Sequence, residues 1–215
     1  MEGQRNWRFQ TARIKLGEKK MEDATEKVEK RKHSCGNLLL GITGSVGAVN
    51  MPIYIQYIKN KFAENIFIMI SKAARNFVSP YSLELISGHK TFEDLFTPQN
   101  EYKVPHIQLP KQADIFLIMP ATANIISKAA NGIADDLIST SIVASSCPVV
   151  FIPSMNSVMW FNRIIQRNIK LLRESKYYVM EPSDGIEVSD SKREFGAMPP
   201  LNLILEYLEK IIKGQ

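Results

Sequence analysis

The chain has 215 residues, 45% of them hydrophobic, which suffices for one packed core and excludes a fibrous or disordered protein. No apolar run approaches the roughly 20 residues that span a bilayer, and the amino terminus is polar and basic with no apolar centre, so a cytoplasmic protein without a membrane partner is expected. The net charge of +5 is local: residues 1–36 hold ten Lys/Arg against six Asp/Glu, a net of +4, and lack the aromatic interleaving or recognition-helix pattern of a nucleic-acid arm.

Residues 1–36 therefore read as a basic extension, disordered or partly helical, and residues 37–215 as a single α/β domain. Gly17-Glu18 ahead of Lys19-Lys20-Met21 reads as a translated purine-rich ribosome-binding sequence, so Met21 is the expected start and residues 1–20 an upstream extension; the gene's nucleotide sequence tests this. The two cysteines, Cys35 and Cys147, belong to no CxxC or Cys/His cluster, so both are expected as reduced thiols and no metal site is expected.

Asn37 to Thr43 is an apolar run without a 3.6-residue period and predicts a first strand, Gly44-Ser45-Val46-Gly47 a tight turn, and the spacing through Phe62 a helix. Asn65 to Ile70 predicts a second strand, completing a βαβ unit. A short helix is expected over Pro80 to Ile86, a third strand over Asp114 to Met119 stopped by Pro120, and helices over Thr122 to Asn131 and Asp135 to Ser145. Pro148 to Ile152 predicts a fourth strand, Asn162 to Glu174 a helix, and Tyr177 to Met180 a last short strand. A terminal helix from Pro199 or Pro200 places Leu201, Ile204, Leu205, Leu208 and Ile211 on one face. Ser183 to Met198 carries no clear element. Continuous apolar strands alternating with helices predict a doubly wound, Rossmann-like or flavodoxin-like parallel sheet, whose ligands lie beyond the carboxyl ends of the strands.

Each turn after a strand is thus a candidate site. "TGSVGA", Thr43 to Ala48, has the small residues and hydroxyls of a phosphate binder, but its spacing is neither the dinucleotide nor the Walker pattern; alone it reads equally as a tight turn. Ser71 repeats the arrangement after the second strand. In "PATAN", Thr122 sits near a helix N-cap and Asn124 in the first turn, which alone describes an ordinary capped helix. With Asn156 of "PSMNSVMW" these residues make a ring of uncharged donors at one sheet edge, suited to a mononucleotide cofactor. Met155, Met159 and Trp160 are read either as core or as the wall of that site. His106, in "VPHIQLP", is either a surface or capping histidine or a proton carrier beside the cofactor.

These motifs, in this order, resemble the homo-oligomeric flavin-containing cysteine decarboxylases. "PSMNSVMW" fits that family's PxMNxxMW motif in full, and "PATAN" fits its P-x-[ST]-A-N-T motif except that Ile125 replaces the last Thr. His106 stands fourteen residues before Pro120, the spacing of the family's active-site histidine, and "GIADDLIST" resembles the segment that follows the flavin helix. The resemblance covers residue 37 to the end.

It implies an FMN-type flavin, with FAD the alternative, held by Gly44, Ser45, Val46, Ser71, Lys72, Ala73, Thr122, Ala123, Asn124, Ile125, Ser154 and Met155. It implies His106 as acid/base and Asn156 as a hydrogen-bond donor to the substrate, with Met159, Lys192 and Arg193 also on the substrate side. It further implies a trimer-based oligomer, a dodecamer, with each flavin at a subunit contact. Phosphopantothenoylcysteine decarboxylases, one branch, share an Ala-Cys-Gly-Asp motif in the late loop; Ser183 to Met198 has no cysteine. That favours the lantibiotic-type peptidyl-cysteine branch, whose partner is a precursor peptide ending in cysteine and whose loop clamps it. A non-catalytic regulatory flavoprotein and a bare electron carrier are the remaining alternatives.

Overall fold

Strand β1 (Cys35–Ile42) buries Leu38, Leu39 and Leu40 completely, which requires a layer on each of its faces. In the computed structural model, residues 33–96, 102–186 and 193–214 are described, and the expectations for residues 1–32 and for Lys192 lie outside them. β1 joins β2 (Ala63–Ile70), β3 (Thr91–Phe92), β4 (Ile115–Ala121), β5 (Val149–Pro153) and β6 (Tyr178–Val179) in one six-stranded sheet. The order is β3-β2-β1-β4-β5-β6 and every pair is parallel. This is the doubly wound α/β architecture, with its topological switch point between β1 and β4.

Alternation along the strands divides the core in two. Leu38, Leu40, Ile42, Leu117 and Ile152 meet Met51, Ile55 and Ile58 of α1 (Met51–Lys61), Leu83 of α2 (Pro80–Ser87) and Ile204, Leu205, Leu208 and Ile211 of the last helix, Leu201–Ile212. Leu39, Phe116, Ile118 and Phe151 meet the opposite layer. That layer holds α3 (Pro105–Gln112), α4 (Ala123–Ala130), α5 (Leu137–Val143), the single turn α6 (Ser157–Trp160) and α7 (Arg163–Glu174). The last helix is α8. Removing one fully buried aromatic, as in Phe151→Ala, costs about 3–5 kcal/mol.

Two expectations are corrected, and one unassigned segment is helical. Pro120 does not stop the sheet: β4 continues through a cis Met119–Pro120 bond to Ala121, which pairs with Pro153 beyond a register shift. Ser183 to Met198 is not without structure, since β7 (Ser183–Ile186) and β8 (Arg193–Ala197) form an antiparallel hairpin. His106 lies on a helix, α3, begun by Pro105 at the position where proline's missing N–H costs nothing. Elsewhere the bounds move by a few residues: β1 starts at Cys35, and α5 starts at Leu137 behind the capping Asp136.

Candidate active site

The turns that leave β1, β2, β4 and β5 are tied to one another by their own polar groups. Thr43, only 4% exposed, follows β1 at the switch point. Its hydroxyl donates to the Pro120 carbonyl at 2.7 Å, accepts the Thr122 N–H at 3.1 Å and lies 3.3 Å from the Thr122 hydroxyl. Thr122 in turn caps α4 by accepting the Ile125 N–H at 3.4 Å. Ser45 shares a 2.8 Å hydrogen bond with Ser154, whose N–H donates to the Ala121 carbonyl at 3.0 Å. Ser71 donates its N–H to the Ile42 carbonyl at 3.0 Å and accepts the Ala74 N–H on its hydroxyl at 3.2 Å. A Cβ on Gly44 would stand 2.5 Å from that of Ala73, so only glycine permits this approach of the first two turns.

Two cavities are lined by these turns. The first, about 630 Å3, is bounded by Gly44, Ser71, Lys72, Ala73, Asn124 and Ile125, among others. Its rim carries Lys128, whose Nζ lies 2.6 Å from Asp135 Oδ1 and 2.7 Å from Asp136 Oδ2. Burial works to lower the Lys128 pKa, but hydrogen bonds to the two carboxylates outweigh it and hold the ammonium above its usual range; the Lys128 hydrogen bond pulls Asp135 down. Arg75 is paired with Glu93 at 2.8 Å, whereas Lys72 has no ion-pair partner among the described residues. Of the first-turn N–H groups of α4, the Thr122 hydroxyl accepts only that of Ile125, which leaves those of Ala123 and Asn124 without protein partners among the described residues. Backbone donors, amides, hydroxyls and one unpaired cation around a cavity of cofactor size fit a phosphorylated, ring-bearing mononucleotide.

The second cavity, about 570 Å3, is bounded by Ser45, Val46, Ser154, Met155, Asn156 and β8 from Glu194. Asn156 accepts the Met159 N–H on Oδ1 at 2.8 Å and so caps α6, while its Nδ2 has no partner among the described residues. "PSMNSVMW" is thereby divided. Met155 lines the cavity, Trp160 is buried in the core at 3% exposure, and Met159 is 44% exposed and lines neither cavity. The hairpin sits against this turn: the Met155 N–H donates to the Gly196 carbonyl at 3.1 Å, and the Ser157 hydroxyl donates to the Glu194 carboxylate. The Phe195 ring meets Trp160 edge-on at 6.3 Å and stacks on Phe161 at 5.8 Å.

The remaining candidates lie apart. His106 occupies the first turn of α3 and lines neither cavity, and its buried Nδ1 has no hydrogen-bond partner among the described residues. Arg193, at the start of β8, is exposed and lines neither cavity. Ala123 is buried at the start of α4. Sequence reasoning missed Thr43, the knot of the site, although it stands at the head of "TGSVGA"; it also missed Glu194, which no motif marks. Both cysteines are free thiols. Among the described residues, no helix is long and apolar enough to cross a membrane, and no cluster of His, Cys, Asp and Glu is placed to hold a metal ion.

A parallel sheet whose carboxyl edge joins two such cavities defines an α/β protein of the mononucleotide-cofactor class. The sequence matches the Flavoprotein family over residues 25–213, and the chain belongs to that family. It is 34% identical over 145 residues to the mersacidin decarboxylase of Bacillus sp. (strain HIL-Y85/54728), covering 67% of this chain and 73% of that one. It is 35% identical over 149 residues to the coenzyme A biosynthesis bifunctional protein CoaBC of Bacillus subtilis (strain 168), covering 69% of this chain but only 36% of that longer protein. The crystal structure of the FMN-dependent cysteine decarboxylase SpaF superposes with a TM-score of 0.70 at 30% identity, covering 83% of this chain and 97% of SpaF.

Proposed function

We propose that this protein is an FMN-dependent oxidative decarboxylase acting on the carboxyl-terminal cysteine of a ribosomally made precursor peptide. The observation that carries the reading is the seating of the β7–β8 hairpin on the Met155–Asn156 turn, which frames a cavity beside the free Asn156 amide. An extended peptide terminus fits such a slot, and the amide N–H can donate to its carboxylate or last peptide group.

A bound flavin supplies a two-electron oxidant: the cysteine Cβ–Sγ unit becomes a thioaldehyde, two electrons and two protons leave the substrate, and CO2 departs from the carbon next to that electron sink to give an enethiol. Gly44, Ser45 and Val46, Ser71 to Ala73, Thr122 to Ile125, and Ser154 with Met155 hold the flavin. Ile125 in place of the family's threonine removes one hydroxyl from that set. His106 moves the proton during the oxidation. His106, which lines neither of these two cavities, reaches the flavin of a neighbouring copy, in a trimer-based dodecamer with each flavin at a subunit contact. Arg193 meets the peptide upstream of its terminus, and Met159 packs against it.

A second reading, decarboxylation of phosphopantothenoylcysteine, is favoured by the 35% identity to the Bacillus subtilis protein. It is disfavoured by the absence of cysteine between Ser183 and Met198. Peptides ending in Cys, incubated with the flavin-loaded protein, are expected to lose CO2 and two hydrogens by mass spectrometry. No loss sinks the peptide reading, and equal loss with His106→Asn removes His106 from it.

A further inference from the structure

Among the described residues that line the 570 Å3 cavity, Glu194 alone carries a formal charge. The other polar side chains there, Ser45, Asn50, Tyr54, Ser154 and Asn156, are neutral. The carboxylate is also fixed in place. The Ser157 hydroxyl donates to its Oε2, and Ser157 is the residue after Asn156, so carboxylate and amide are held together at one wall. The following residues cannot slide: Phe195 is set against Trp160 and Phe161, and Gly196 is bonded to Met155. Glu194 Oε1 has no hydrogen-bond partner among the described residues, and the neighbouring Arg193 makes no ion pair with it and lines neither cavity.

A part-buried carboxylate with one open oxygen lowers the free energy of a nearby cation and raises that of an anion. We propose that Glu194 is a specificity residue of the peptide site, selecting a lysine or arginine in the residues just before the terminal cysteine and disfavouring a phosphate or carboxylate there. The inference rests on the peptide reading above for the identity of the occupant, and on the position of Glu194 for its charge. It also supplies a reason, independent of the missing late cysteine, for the site to reject a phosphorylated small substrate.

The test uses the flavin-loaded full chain and fluorescent peptides ending in Ser, which have no thiol to oxidise, with Lys, Gln or Glu immediately before that serine. The Lys peptide is expected to bind about five- to tenfold tighter than the Glu peptide, the scale of one partly exposed charge pair. The ratio should fall toward one in Glu194→Gln and in raised salt. Undetectable binding, equal affinities, or a preference that survives Glu194→Gln overturns the proposal. If that variant does not fold, a wild-type ratio unmoved by salt overturns it. Binding is read without turnover, so a charge preference beside Cys-ended peptides that never lose CO2 strikes the reaction and leaves Glu194 its role.

Discussion

The Met155 N–H donates to the Gly196 carbonyl at 3.1 Å, and a Cβ on Gly196 would stand 2.1 Å from the Met155 oxygen. The hairpin and the β5 turn therefore meet backbone to backbone, at a glycine with φ +136°, where side chains are strained regardless of space. Gly196→Val is expected to detach the hairpin while leaving the six-stranded sheet folded, at a local cost of about 1–3 kcal/mol. Limited proteolysis should cut the hairpin faster, and kcat/KM on a Cys-ended peptide should fall at least about tenfold while flavin remains bound.

Thr43 joins β1 to β4 through one buried hydroxyl. Thr43→Val keeps the shape but leaves the Pro120 carbonyl and the Thr122 N–H unpaired, at about 1–3 kcal/mol. Thr43→Ser keeps both bonds. Denaturant unfolding should rank wild type near Thr43→Ser and well above Thr43→Val, and flavin retained on gel filtration should follow the same order.

What could be read from the sequence follows from how local each signal is. β1, β2, β4 and β5 are runs of apolar side chains buried on both faces, so composition alone marks them. β3 is two residues long and offers no pattern. The hairpin faces a cavity and a polar turn as much as the core, so its residues show no apolar alternation, and α3 was masked by Pro105 and Pro110. The donors of the site were legible because each follows a strand. The links of Thr43 to Pro120 and of Glu194 to Ser157 were not, because the partners stand 77 and 37 residues apart along the chain.

Lys128 bridges Asp135 and Asp136 on the rim of the larger cavity. Asp135 has a lowered pKa, so its contribution is present above the ordinary aspartate range and is lost as pH falls through its folded value. Lys128 has a raised pKa, so its share is present below the usual lysine range and lost as pH rises through the folded value. Stability from this cluster should be flat near neutrality and fall below about pH 4. Lys128→Met should shrink that acid limb in pH-dependent thermal unfolding.

Cys35 sits 2% exposed with its Sγ 3.9 Å from Asp114 Oδ2. Burial first, and the Asp114 carboxylate second, push its thiol up to about 12 from an ordinary value of 9.0. Folding therefore favours the protonated thiol, and the associated stability is present below pH 9.0 and lost as pH rises toward 12. Iodoacetamide at pH near 8 should spare Cys35 in the folded protein and label it in urea. Cys35→Val should flatten the alkaline limb of stability.

Oxidation and decarboxylation of a peptide's terminal cysteine is measured most directly by one competition. The flavin-loaded protein is given equimolar amounts of a Cys-ended peptide and phosphopantothenoylcysteine under air, and both are followed by mass spectrometry. The peptide is expected to lose CO2 and two hydrogens while the phosphorylated compound persists. Consumption of phosphopantothenoylcysteine with loss of CO2 alone, and an untouched peptide, would contradict it.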